Sequence, residues 1–219
     1  PRWPCHPGTT TTTTTMIGRA LLFLGLAASS SAAAAAAFAP NASPSFAKVV
    51  PVKMAAESEV SFGDLDGEEV RVGIIKTRWN SEHVDNLVDG AKKALSECGV
   101  KDENVFVTEV PGSYELPLAA KFLAMSNRVD AIICCGVLIK GDTLHFEYIC
   151  DAVSSGIMST QLATSTPCIF GVLTCLNEQQ VIVRSTGDSN HGYDWGKTAV
   201  EMASLRNEAL GLKGKKGKG

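Results

Sequence analysis

Asp142, Thr143 and His145 lie close together where an apolar run gives way to a helical pattern. Ala131 to Ile139 is nearly continuously apolar, as in a strand covered on both faces. Lys140-Gly141-Asp142-Thr143 breaks the run. From Thr143 the apolar spacing becomes three and four, placing Ile149, Val153 and Ile157 on one helix face. Asp142 or Thr143 is the expected N-cap. The first amides of such a helix lack internal partners and favour an anion, often a phosphate. His145 falls in the same turn, which sets a candidate proton shuttle beside the anion site. A capped helix with a surface histidine would read the same way from this segment alone.

Three further clusters decide the matter. Parallel strands all end at one edge of their sheet, so their exits should collect there. They bring Trp79-Asn80, then Ser113-Tyr114-Glu115, then Val137 to His145, and finally Phe170-Gly171. Two aromatics and a carboxylate beside an anion site describe a pocket for a flat heterocycle carrying a polyol. The ring would stack on Trp79, while Glu115 and nearby backbone amides would hold hydroxyls. The alternatives are Trp79 and Phe170 as core-edge residues and Glu115 as a helix N-terminal charge.

The elements that must position these residues follow from the pattern. Strands are expected over Val70–Ile75, Asn104–Val110, Ala131–Ile139 and Cys168–Leu173. Ser81 would cap a helix with Val84, Leu87, Val88, Ala91, Leu95 and Cys98 on one face, ended by Gly99. Pro117 is tolerable only in the first turn of a second helix. A long helix follows His145, and others run over Glu178–Arg184 and from about Trp195 to Leu210, after a polar loop from Ser185 to Asp194. Strands alternating with helices predict a three-layer α/β/α sandwich of flavodoxin-like form, with a four-stranded parallel sheet and room for an extra N-terminal strand.

The chain has 219 residues and a formal net charge of −3. Its charge is unevenly placed: Arg2, Arg19, Lys48 and Lys53 precede Glu57 without any acid, leaving 16 basic residues against 23 acidic ones from Glu57 on. That body is a poor nucleic-acid binder, and the Gly-spaced lysines from Lys213 to Lys218 read as a solvated, disordered tail over 212–219. Seven cysteines form no C-x-x-C pair and mostly fall on apolar stretches, as buried free thiols of a reducing compartment do. No metal-ligand cluster stands out.

Residues 1–15 end in a threonine run and read as low-complexity sequence upstream of Met16. Residues 16–37 have the order of a signal peptide, with Arg19, an apolar stretch and then small residues. Residues 38–58 are rich in Ser, Ala and Pro, as in a transit peptide or linker, and the folded domain is expected over 59–211. Signal and transit segments joined at Ala37-Phe-Ala-Pro40 resemble the bipartite presequence of algae with secondary plastids of red-algal type. That resemblance implies the plastid (chloroplast) stroma, without a membrane anchor in the mature form; an ordinary secreted protein is the alternative.

The body, from about Val70 to Leu210, closely resembles the 6,7-dimethyl-8-ribityllumazine synthases. The matching pieces are Arg78-Trp-Asn80, Pro111-Gly-Ser-Tyr-Glu-Leu-Pro117, Gly136 to Tyr148, Ile169 to Thr174, Gln179-Gln180 with Arg184, and Asn190 to Gly196. The resemblance implies condensation of 5-amino-6-ribitylaminouracil with 3,4-dihydroxy-2-butanone 4-phosphate, releasing phosphate and water, with no cofactor or metal. Carried over by position, Trp79 stacks on the pyrimidine and Ser113, Tyr114 and Glu115 line the ribityl site. Val137, Leu138 and Ile139 offer backbone contacts to the uracil. Asp142, Thr143 and Arg184 hold the phosphate, His145 relays protons, and Phe170 and His191 close the pocket. The chain departs from the family at Trp79, where phenylalanine is frequent, and at His191, where lysine is frequent. The implied partners are the small-molecule substrates and copies of the same chain, in a homopentamer that can build a sixty-subunit icosahedral shell. A non-catalytic flavin or lumazine carrier, or a shell protein, would use the same fold. A flavodoxin-like nucleotide-binding domain is more remote, because the Gly-rich fingerprint is missing.

Overall fold

A computed structural model describes residues 61–212. The expected segments 1–15, 16–37 and 38–58, most of the basic tail, and any strand before residue 61 lie outside the described residues.

The four expected strands are β1 Val72–Thr77, β2 Val105–Val110, β3 Ala131–Ile139 and β4 Cys168–Cys175. They form one parallel sheet in the order β2-β1-β3-β4. The helices are α1 Ser81–Glu97, α2 Leu116–Met125, α3 His145–Thr164, α4 Glu178–Ser185 and α5 His191–Ala209. Side chains alternate across the sheet. Ile74, Ile133, Cys135, Val137 and Leu173 face a core closed by α1, α4 and α5. Ile75, Ile132, Cys134 and Val172 face a second core closed by α2 and α3. This is why β3 had to be apolar throughout: both of its faces are covered. Leu87 and Leu95 of α1 are almost fully buried, worth about 1.5–3 kcal/mol each in transfer energy.

Local signals account for the end of α1 and the start of α2. Gly99 takes φ +83°, and the amides of Gly99 and Val100 cap the carbonyls of Ser96 and Leu95 at 3.0 Å. Pro117 falls in the first turn of α2. Gly156 lets α3 approach α2, since a Cβ there would lie 2.8 Å from the Pro117 side chain.

Four expectations shift. β1 begins at Val72, because Val70 still closes a turn onto the Gly67 carbonyl. The cap of α1 is Asn80, in left-handed conformation at φ 58°, rather than Ser81. α3 starts at His145 after Leu144, so neither Asp142 nor Thr143 is its cap residue, although the Thr143 Oγ1 accepts a long bond from the His145 amide at 3.4 Å. α5 starts at His191, where Asn190 accepts from the Gly192 amide at 2.8 Å and shortens the expected loop.

One expectation about the sheet edge is corrected. Phe170 and Gly171 lie inside β4, opposite Cys134 and Cys135, and not at its exit, which falls at Cys175. The pairing with β3 carries the strand past the point where its own apolar run stops. Near the opposite sheet edge, buried Asp130 accepts from the Arg71 backbone amide at 2.9 Å and from its guanidinium at 2.8 Å, joining the segments that lead into β1 and β3.

Candidate active site

Between β2 and β3 the chain crosses from one side of β1 to the other, and the carboxyl ends of the strands open a cleft of about 900 Å³ there. Trp79, Asn80, Ser113, Tyr114, Glu115, Val137, Leu138, Ile139, Thr143 and His145 all line it. Nine residues singled out from the sequence for substrate binding or proton transfer thus share one concavity. Other depressions exist, including one of about 710 Å³ between β2 and α2, but no histidine lines that one.

Each wall has a local cause. The exit of β1 is tied to that of β2 by the Arg78 amide on the Val110 carbonyl at 3.0 Å and the Trp79 amide on the Pro111 carbonyl at 3.3 Å. Thr77 Oγ1 donates to the Trp79 carbonyl at 3.2 Å. The backbone of Trp79 is therefore held while its indole stands 76% exposed. An indole so exposed on a braced turn is not a core-edge residue, and it stands open to the cleft.

Ser113, Tyr114 and Glu115 form a single 3-10 turn ahead of α2. Ser113 is buried against β3, and Gly136 makes this contact feasible: a Cβ there would lie 2.7 Å from the Ser113 Oγ. Tyr114 is 63% exposed. The Glu115 Oε2 accepts from the Gly112 amide at 2.9 Å, so the carboxylate does serve the turn as a helix N-terminal charge while also lining the cleft.

The loop between β3 and α3 lies on the third side. Gly141, Thr143 and His145 line the cleft, with Asp142 exposed beside them. Lys140 Nζ and Glu147 Oε1 are 2.6 Å apart across the base of the loop.

Arg184, Phe170 and His191 are not among the residues lining this cleft. Arg184 lies on α4, with Nη1 donating to the Gln180 carbonyl at 3.1 Å. Phe170 is exposed on the edge strand β4. His191 opens α5, its ring edge-on to Trp195 at 6.4 Å between centroids.

Asn80, which no site role had been assigned from its sequence position, also lines the cleft and donates from Nδ2 to the Val137 carbonyl at 3.0 Å. Its place beside Trp79 was the available signal.

An open parallel sheet with an aromatic platform, a carboxylate turn and a histidine at its carboxyl edge defines an α/β enzyme acting on a small molecule. Comparison with known proteins narrows the class. The family model of 6,7-dimethyl-8-ribityllumazine synthase matches residues 69–207. Proteins of that name are similar over most of their lengths. The one from Schizosaccharomyces pombe is 47% identical over 142 residues, covering 64% of this chain and 89% of its own. That from Pyricularia oryzae is 40% identical over 182 residues, covering 65% and 91%. That from Clostridium kluyveri is 40% identical over 147 residues, covering 67% and 96%. The chain belongs to the 6,7-dimethyl-8-ribityllumazine synthase family.

Proposed function

We propose that the cleft condenses 5-amino-6-ribitylaminouracil with 3,4-dihydroxy-2-butanone 4-phosphate, the lumazine-forming step of riboflavin biosynthesis. The observation that carries this reading is the convergence of Trp79, Tyr114, Glu115, Thr143 and His145 on one cleft. Trp79 stacks on the pyrimidine. Ser113, Tyr114 and Glu115 receive the ribityl chain, and the backbone of Leu138 and Ile139 receives the uracil edge. The loop at Asp142 and Thr143 holds the phosphate. His145 moves protons as the imine forms with loss of water, as phosphate is eliminated, and as the ring closes with loss of a second water. Orientation of two substrates and proton transfer supply the rate enhancement.

The remaining residues point to a shared site. Phe170, Arg184 and His191 serve the cleft of a neighbouring copy in a homopentamer. Two observations support this: their absence from the lining of their own chain's cleft, and the exposed apolar side chains of α2 and α3. Leu118, Phe122, Met125, Met158 and Leu162 are all exposed there. A plastid location, by way of residues 16–58, rests on the sequence and on the thiols. Cys98, Cys134, Cys135, Cys150, Cys168 and Cys175 are all free, as suits a reducing stroma.

The direct test mixes purified protein with both substrates and follows the fluorescence of the lumazine product. Turnover without added flavin or metal is expected. A protein that binds the lumazine but never forms it would be a carrier. For the location, residues 16–58 fused to a fluorescent protein should direct it to the plastid of a red-lineage alga; secretion of the fusion would overturn that part.

A further inference from the structure

We propose that Lys140 and Glu147 are positioning residues, a clasp whose closure sets the anion loop and His145 for the condensation; this rests on the function proposed above.

The pair brackets the loop. Lys140 directly follows the last residue of β3, and its amide donates to the Cys175 carbonyl at 2.9 Å, so its backbone is tied to the end of β4. Glu147 lies in the first turn of α3, two positions beyond His145. The Lys140 Nζ donates to the Glu147 Oε1 at 2.6 Å, a short charge-assisted bond across the base of the loop.

Between these anchors the loop has little packing. Gly141, Asp142, Thr143 and Leu144 are exposed, and a Cβ on Gly141 would meet nothing within 4 Å. The long 3.4 Å bond from the His145 amide to Thr143 Oγ1 is a weak constraint. The loop's shape is therefore set at its ends, where the ion pair joins strand to helix. The Lys140 ammonium also holds the Glu147 carboxyl below its ordinary range, helped by Glu147's own amide.

A surface ion pair contributes little to global stability, and these side chains are 46% and 41% exposed. Its effect should instead appear in substrate positioning, where small displacements are costly. The rival role is Lys140 as a direct phosphate ligand. Two observations oppose it: the ammonium is already engaged by Glu147, and Lys140 is absent from the cleft lining that includes Gly141, Thr143 and His145.

The experiment compares the full chain with Lys140→Met, Glu147→Gln and the double variant. Each single change is expected to lower kcat/KM roughly tenfold, within the range of coupled neighbours. The loss should fall on kcat and on KM for the phosphorylated ketone, leaving KM for the ribitylaminouracil unchanged. The double variant should be no worse than either single one, and Lys140→Arg should keep most of the activity. Inorganic phosphate should bind less tightly to Glu147→Gln by calorimetry. If Lys140 instead grips the phosphate, Glu147→Gln frees its ammonium, so phosphate binds as well or better to that variant, or only Lys140→Met loses activity. Either result overturns the clasp, as does a variant that fails to fold, because so exposed a pair should not control folding. An inactive wild-type chain would sink the proposed function itself; an active one with unaffected single variants would sink this inference alone.

Discussion

The Asn80 side-chain amide donates to the Val137 carbonyl at 3.0 Å, locking the turn after β1 to the last third of β3. Asn80 does this from a left-handed backbone at φ 58°, a conformation asparagine tolerates better than most residues. Two variants separate bond from backbone. Asn80→Gly keeps the conformation and loses the bond, which should cost about 1 kcal/mol of stability. Asn80→Ala adds backbone strain of roughly another 1 kcal/mol. Urea unfolding should therefore rank wild type above Gly above Ala. Equal midpoints for Gly and Ala would mean that the left-handed turn carries no strain.

His145 lines the cleft at the head of α3. His145→Ala should lower turnover by roughly 100- to 10,000-fold, as for one acid-base group among several effects. Binding of a ribityl-uracil analogue should stay nearly intact, because Trp79 and the 113–115 turn are untouched. Single-turnover kinetics beside equilibrium titration give the comparison. Collapse of binding with normal turnover of whatever binds would make His145 a binding residue.

Because Arg184 does not line its own chain's cleft, complementation offers a test of sharing between subunits. Inactive His145→Ala chains mixed with inactive Arg184→Ala chains, under conditions that exchange subunits, should regain part of the activity. Some boundaries in a mixed ring would carry both native residues. If mixed assemblies form and remain inactive, each chain uses its own Arg184.

The buried thiols should make stability fall at high pH. Burial raises Cys135 and Cys168 from 9.0 to about 12, and pushes Cys134 up in the same direction. A folded pKa above the unfolded one gives a contribution fully present below pH 9.0. It is lost as pH rises toward about 12, because the unfolded chain ionises first. Denaturant midpoints should decline across that interval, and Cys135→Ala should flatten the decline while lowering stability at neutral pH through its cavity. An unchanged pH slope in that variant would place the effect elsewhere.

Sequence alone determined the layers and most of the cleft. The apolar run from Ala131 to Ile139 meant a strand covered on both faces, because period and burial are local consequences of what each side chain must avoid. Trp79, Glu115 and His145 could be gathered on one edge because parallel strands share a direction. The tertiary structure decided what depends on a distant partner. Pairing with β3 extended β4 to Cys175, two residues past Leu173, where its own apolar run stops. Asn190 starts α5 at His191 while its amide also donates to the Asn86 carbonyl of α1 at 2.8 Å. Asn80 holds a left-handed turn through a carbonyl more than fifty residues away. Such bonds leave no period in the chain: each depends on two segments meeting at one distance and orientation, which packing of the whole sheet provides.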